Sequence, residues 1–384
     1  MENSEIQATK KKNWKNSYFV IIGLFYLFQG FYSEALRVYE QHMMLDIWNF
    51  SESRVGLVSA LIILPNYLKM FTGLLSDRVP ILGKRRSPYI LIGTFLYIPF
   101  FILLSQLTNF SMWWALAMIF ISFGWSLVDG TLDALSIDVS PDSKLGMMNG
   151  VTWASRSVGS IVAMVGAGIL ATAISWKYAL LVIGGIAILQ GITALLIKEP
   201  KFEKDNIRSF SADKAAIGTF LKKPKSWLTI VFILLFNVAT GIYALLPTIF
   251  AKLADMKVAD IMVYAAAAYG AAMVGVLIAG KISDIIGAKK LVVPVLIFFW
   301  AAVCLMFFVK PNMSVAMIWV IMIVFGLAMG ASFVPTGRLS MEIANPEISG
   351  FVYAGMSSVS NIAQGAVAGL VFALFSTFMP LPYS

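Results

Sequence analysis

Gly73-Leu74-Leu75-Ser76-Asp77 returns 207 residues later as Gly280-Lys281-Ile282-Ser283-Asp284 in a chain of 384 residues. Each copy closes a long apolar run and opens into basic residues: Arg78, Lys84, Arg85 and Arg86 after the first, Lys289 and Lys290 after the second. Two more landmarks recur at nearly the same interval. Ser136-Ile137-Asp138 returns as Ser340-Met341-Glu342, and Gly146 as Gly350, both 204 residues on. Nearly constant offsets at three landmarks read as a tandem duplication, an arrangement common among membrane proteins built from internal repeats.

Outward from these repeats the chain is apolar. Apolar residues make up 59% and charged residues 13%, at a mean hydropathy of +0.83. Soluble domains hold about 45–50% apolar and about 25% charged residues, so this chain cannot cover itself with a polar surface in water. That excludes a soluble enzyme, a disordered chain and a nucleic-acid binder, although the net charge is +9. The single cysteine, Cys304, excludes a disulfide framework and Cys-based zinc sites; the single histidine, His42, excludes His-rich metal centres and His-paired nucleophiles. No metal and no cofactor are expected.

A membrane helix needs about 20 mostly apolar residues. Eleven such runs are present, near 17–39, 54–76, 88–107, 112–136, 146–173, 176–197, 227–250, 259–281, 289–309, 314–340 and 349–378. They are too long for barrel strands, which alternate over about 10 residues. The chain reads as an all-α, multi-pass membrane protein. Of its 29 Lys and Arg residues, 20 fall on one side of these spans and 5 on the other. Basic loops stay cytoplasmic, which places the N-terminus inside, in the cell membrane. The apolar run after Lys15 is of spanning length, so no cleavable signal is expected. The net charge is then a topology signal with some attraction to anionic lipid, not a polynucleotide footprint.

The longest polar stretch, 198–225, divides six spans in 1–197 from five in 226–384. The expected organisation is an N-terminal six-helix bundle, a cytoplasmic linker and a C-terminal five-helix bundle. Gly-x-x-x-Asp with a basic cluster, between the second and third spans of each half, resembles the signature loop of the major facilitator superfamily. The second copy fits the usual spacing, with Gly287 three residues after Asp284; in the first, Gly83 lies six residues after Asp77. That longer form, with Lys69 four residues before Gly73, is similar to the folate–biopterin transporter branch, as is Asp129-Gly130-Thr131-Leu132-Asp133 in span 4. Both stretches are shared in part with sugar–cation symporters, muropeptide and acetyl-CoA permeases, and light-harvesting assembly proteins. The resemblance implies a major facilitator fold, two pseudo-symmetric bundles around a cavity. The family pattern is six plus six spans, and the twelfth is missing here, since residues 378–384 read as the outer loop before it. A truncated product and an eleven-span variant both fit.

No Walker loop is present: Arg78 and Arg85 occupy positions where the glycine and the hydroxyl residue belong. Movement of a solute would draw on an ion gradient or run downhill. The informative residues are charges inside spans, each costing several kcal/mol unless paired or hydrated. Spans 4 and 5 turn around Pro141–Lys144, so antiparallel numbering sets Asp129 level with Arg156, roughly 20 Å from the turn. Asp133 lies one turn from Asp129 on the same face. An Asp129–Arg156 pair with Asp133 as second partner is expected. It is either a cavity site for substrate or proton, or a structural ion pair between the two spans.

Lys69, roughly 12 Å in from the end of span 2, either snorkels or faces the cavity. Glu34 and Arg37 in span 1 are spaced to pair; Arg37 is read as snorkelling and Glu34 as a second proton-site candidate. Gly73, Asp77, Arg78, Gly83, Arg85 and Arg86, with Gly280, Asp284, Gly287 and Lys289, carry the family's expected cytoplasmic gate, in which carboxylates sit near helix N-termini. Arg338 and Glu342, spaced i, i+4, read as a gate or structural pair. Gly146-x-x-x-Gly150 and Gly326-x-x-x-Gly330 permit close helix approach. Gln29, Tyr32, Asn237, Thr240, Tyr243, Asn361 and Gln364 line the cavity if the resemblance holds.

Together these features read as a secondary transporter of a small organic solute, working as a monomer by alternating access and coupled to protons. Lys69 and Arg156 and the branch resemblance favour an anionic or zwitterionic cargo such as a folate or pterin, stacking on Trp125 or Trp153. The rivals are a sugar, muropeptide or drug on the same fold, and a non-transporting membrane assembly factor.

Overall fold

The structure, a computed structural model, describes residues 15–199, 210–241, 258–308, 313–343 and 348–367, and the described residues are almost entirely helical. Seven of their helical segments are long and apolar enough to cross a membrane. The first half begins with α1 (Ser17–His42), whose last turn widens into a π-helix over Met43–Ile47. The second span is broken in two, α2 (Glu52–Tyr67) and α3 (Met70–Arg78). Then follow α4 (Ser87–Leu104), α5 (Met112–Val139) and α6 (Leu145–Ala194). The run of α6 leaves helical geometry at Ser175, φ 67° and ψ 158°, between the two spans expected there.

The linker holds a helix that hydropathy did not reveal, α7 (Phe210–Lys222). It buries Asp213 and Phe220 and leaves Lys214 exposed, an amphipathic pattern too short and too charged to span. The second half comprises α8 (Pro224–Gly241), α9 (Val258–Ile286), α10 (Ala288–Cys304), α11 (Val315–Ile343) and α12 (Ser349–Ile362). The end of span 7 beyond Gly241, Tyr243 included, and the end of span 11 lie outside the described residues.

The break in span 2 has a local cause. Pro65 has no N–H and its ring crowds the preceding turn, and the backbone leaves helical geometry at Leu68, φ −102° and ψ 10°. Carbonyls near the break find other donors: Ser126 Oγ donates to Pro65 O at 3.0 Å, and Thr72 Oγ1 to Lys69 O at 2.7 Å. Lys69 becomes the cap residue of α3 rather than one more residue of a continuous span.

Close backbone approach divides the chain into two compact units. Of the described residues, those within Met1–Asp142, Ser155–Lys222 and Ile343–Ser358 make one, and those within Ser143–Ala154, Lys223–Glu342 and Val359–Ser384 make the other. In the first, α4 lies along α5, with Tyr97 OH donating to the Gly124 carbonyl at 3.3 Å. In the second, Tyr264, Phe299, Ile318 and Phe325 form one buried cluster and Phe236, Val276, Leu291 and Val334 another. Here Gly326 and Gly330 set the spacing of α11 on α9, because a Cβ on either would overlap the carbonyl of Ala268 or Ala272. Val20, Leu57, Leu61, Phe95, Val293 and Ile297 are all 60% exposed or more, as lipid-facing side chains are.

Candidate functional site

Four charged residues of the first unit, Lys69, Asp129, Asp133 and Arg156, meet in one place. On α5, Trp125, Asp129 and Asp133 recur every four residues and share a face. From the broken span, Lys69 Nζ reaches Asp129 Oδ2 at 2.6 Å and Asp133 Oδ2 at 3.4 Å. From α6, Arg156 Nη2 lies 3.0 Å from Asp129 Oδ1, the pair that hairpin depth sets level. Gln29 of α1 joins them: its Nε2 donates to Asp129 Oδ1 at 3.0 Å and its Oε1 accepts from Arg156 Nη2 at 2.9 Å. Tyr26 OH donates to Asp133 Oδ1. Lys69 and Asp129 are sealed, with side chains 1% and 3% exposed, while Arg156 keeps 20%.

Two cations thus face two carboxylates, which is the condition for holding charge at such depth: an unpaired ion would cost several kcal/mol. Trp125 completes the group. The Arg156 guanidinium lies 5.3 Å and Lys69 Nζ 6.0 Å from its ring centre, distances at which a cation is drawn to an aromatic face. Its indole Nε1–H is buried yet has no acceptor, a cost of about 1–3 kcal/mol for an orphaned donor.

Glycine lets α1 come close enough. A Cβ on Gly30 would overlap the Arg156 carbonyl. Gly30→Val is therefore expected to lower stability by about 1–3 kcal/mol through overpacking and to part Arg156 from Gln29. Gly56→Ala, with nothing within 4 Å of the new methyl, should not lower it. Thermal unfolding of the two variants checks the contrast.

The two signature carboxylates do a second job, each at a helix N-terminus. Asp77 accepts from Gly350 N at 3.2 Å and Phe351 N at 2.9 Å, at the start of α12. Asp284 accepts from Gly146 N and Met147 N, both at 2.8 Å, at the start of α6. Each copy of the repeat therefore caps a helix from the other half of the chain, where free N–H groups and the helix dipole favour an anion.

The cations that complete these caps come from different places. Arg86, fully buried, pairs with Asp77 at 2.6 Å and Asp138 at 3.0 Å and donates to Ser76 and Ser349 Oγ. Burial opposes its charge, but Asp138 and Asp77 more than offset that and push its pKa above the usual arginine value. In the second copy Arg338 serves, 2.7 Å from Asp284 and 3.0 Å from Glu342. The position matching Arg338 in the first copy is buried Ala134, which cannot supply a charge. The longer first loop brings Arg86 instead. It turns tightly at Leu82 and Gly83, φ 52° and 72°, with Ile81 and Lys84 exchanging backbone hydrogen bonds of 2.9 and 3.0 Å. Glu199 fixes its far end by accepting from the N–H groups of Arg85, Arg86 and Ser87 at 2.7–2.9 Å.

The other expected residues are scattered. Lys289 is exposed, and Gly287 takes φ 87° as the cap before α10. Arg85 reaches Asp138 at 3.5 Å, and Arg78 lies 3.8 Å from Asp213. Gly73 packs against Gly350 and Gly280 against Gly146. Glu34 pairs with Arg37 at 3.0 Å. Tyr32 OH donates to Tyr97 OH at 3.1 Å, and Gln364 Nε2 to Asn237 Oδ1 at 2.6 Å. Asn361 is half-buried on α12, and Thr240 falls in the last turn of α8. Trp153 already stacks on Phe333 at 4.3 Å and 5°, so that face is taken. Sequence reasoning missed Tyr26 and Glu199; no spacing signal marks either.

Comparison with known proteins agrees with this architecture. Among curated sequences, "Probable folate-biopterin transporter 2" of Arabidopsis thaliana is 23% identical over 237 residues, 59% of this chain and 48% of that protein. "Probable folate-biopterin transporter 4" of the same plant is 29% identical over 148 residues, 37% of this chain and 30% of that protein. The matches thus span less than half of either relative's length. Among solved structures, the major facilitator transporter FucP in its outward conformation superposes with a TM-score of 0.73 at 13% identity, covering 94% of this chain and 92% of that one. A second structure, of the E. coli fucose:proton symporter, gives 0.70 at 14%. At such identities the likeness is one of fold. Residues 16–368 match the family profile described as Major Facilitator Superfamily, and with the repeated carboxylate caps and the helical fold in place, the chain belongs to that superfamily.

Proposed function

We propose that the chain carries a small organic solute across a membrane by alternating access, and that Lys69, Trp125, Asp129, Asp133 and Arg156 form the site that meets the cargo. One observation carries this reading: two cations and two carboxylates are held against each other, nearly sealed, where charge is costly. Ions so paired can trade partners. An anionic group of the cargo takes the place of Asp129 or Asp133 on Lys69 or Arg156, and the freed carboxylate takes a proton. Asp133 suits that role, since Lys69 stands 3.4 Å from it against 2.6 Å for Asp129. The cargo class that fits is an anionic or zwitterionic, folate- or pterin-like molecule, in line with the names of the curated relatives. Trp125 adds a donor in want of an acceptor. The caps at Asp77 and Asp284 then act as cytoplasmic latches, with the basic loops on that side of the membrane.

Uptake into proteoliposomes tests the reading, with radiolabelled folate, a pterin and a neutral sugar, each with and without a pH gradient. Gradient-driven entry of the anion supports it; entry of the sugar alone, or of nothing, overturns it. Trp125→Phe keeps an aromatic face but removes the N–H. It is expected to raise the KM for the transported anion about five- to tenfold, the worth of one hydrogen bond of roughly 1 kcal/mol, without lowering the melting temperature, since the orphaned donor is gone.

A further inference from the structure

Away from the charged quartet, the first unit holds a cavity of about 370 Å³ between α3, α7 and the start of α12. That is the size of a small-ligand site. Its wall is apolar, made by Phe71, Leu74, Leu75, Ile217 and Phe351, and its charged residues are Arg78, Asp213 and Lys214. Asp213 is buried and its Oδ2 accepts no hydrogen bond; Arg78 Nε stands off at 3.8 Å. With Lys214 the rim carries one net positive charge. Asp213 and Lys214 lie in the first turns of α7, a 13-residue helix whose N-terminal end favours an anion, and Arg78 ends α3. An apolar pocket with a cationic rim, at the end of a span, matches an acyl chain under an anionic head.

We propose that this cavity binds an anionic lipid of the surrounding bilayer, with the chain among Phe71, Leu74, Ile217 and Phe351 and the head at Arg78 and Lys214. The site bears on the latch. The Phe351 ring lines the cavity, while its backbone N–H is the one Asp77 caps at 2.9 Å. A lipid there fills the space behind the cap and holds α12 against α3, favouring the latched arrangement. Lipid binding at this site does not depend on the transport reading; only the consequence for the latch rests on it.

Photolabelling of the full chain in phosphatidylcholine nanodiscs tests the site. The probes are phosphatidylglycerol with a diazirine on its acyl chain and phosphatidylcholine with the same diazirine. Phosphatidylglycerol is expected to label peptides containing Phe71–Leu75, Ile217 or Phe351 at least fivefold more than phosphatidylcholine. Lys214→Gln, at an exposed position that should not disturb folding, should reduce that labelling about fivefold, the effect of one basic residue near an anionic surface. Ile217→Trp, which fills the cavity, should abolish it. Equal labelling by both lipids, labelling confined to other segments, or full labelling of both variants overturns the proposal. So does competition by inorganic phosphate as effective as by unlabelled phosphatidylglycerol, which would make this a plain anion site. A chain that labels as expected but moves no solute would refute the transport reading and leave the lipid site standing.

Discussion

Lys69→Met is expected to cost about 3–5 kcal/mol of stability and to stop uptake, because it strands two carboxylates on one guanidinium. Lys69 Nζ lies within 3.4 Å of both Asp129 and Asp133, and its side chain is 1% exposed, so water cannot take its place. Adding Asp133→Asn restores neutrality, leaving Asp129 with Arg156 at 3.0 Å. The double variant should therefore be more stable than the single one, with a coupling of about 1–3 kcal/mol in a double-mutant cycle. Uptake separates the roles. If Lys69 meets the cargo, the double variant folds but does not transport; if Lys69 serves only to balance charge, transport returns with stability. A loss below about 1 kcal/mol in the single variant, by thermal unfolding in a fixed detergent, would refute the pairing argument.

Arg86→Gln is the second large effect. Arg86 is fully buried and joins Asp77, Asp138, Ser76 and Ser349, so removing it leaves Asp77 with backbone donors alone and Asp138 with Arg85 at 3.5 Å, at a cost of about 3 kcal/mol. Amide exchange at Gly350 and Phe351 should rise, since the carboxylate that caps them loses its counter-ion. Lys289→Gln, at an exposed position in the equivalent loop, should change neither quantity. Arg338→Gln should act like Arg86→Gln but more weakly, because Glu342 is 31% exposed and water can compensate it.

Sequence made the fold legible through long-range periodicity: the interval near 204–207 residues aligns Asp77 with Asp284, Gly146 with Gly350, and Asp138 with Glu342. The Asp129–Arg156 pair followed from hairpin arithmetic, since two helices joined by a short turn keep equal depths. Lys69 could be placed in depth but not in azimuth. Pro65 breaks its span and changes which way the following turn faces, and Asp129 is 60 residues away. Tyr26 and Gln29 lie further still, with no common periodicity to tie them to α5. At the second cap the sequence offers two cations, Lys289 in the loop and Arg338 in the pair with Glu342, and symmetry does not choose between them. The charge comes from Arg338 on α11, one turn before Glu342. Helix α7 was hidden because a short amphipathic helix leaves no hydropathy peak.

With both carboxylates ionised, Lys69, Asp129, Asp133 and Arg156 sum to zero. A body with no net charge feels no work from the transmembrane voltage when it shifts across the field. A proton on Asp133 makes the same body singly positive, and each 100 mV then weighs on it by about 2.3 kcal/mol. An anionic group of a cargo bound beside that proton would bring the sum back to zero, so the voltage weighs on the protonated, empty cluster and not on the loaded one.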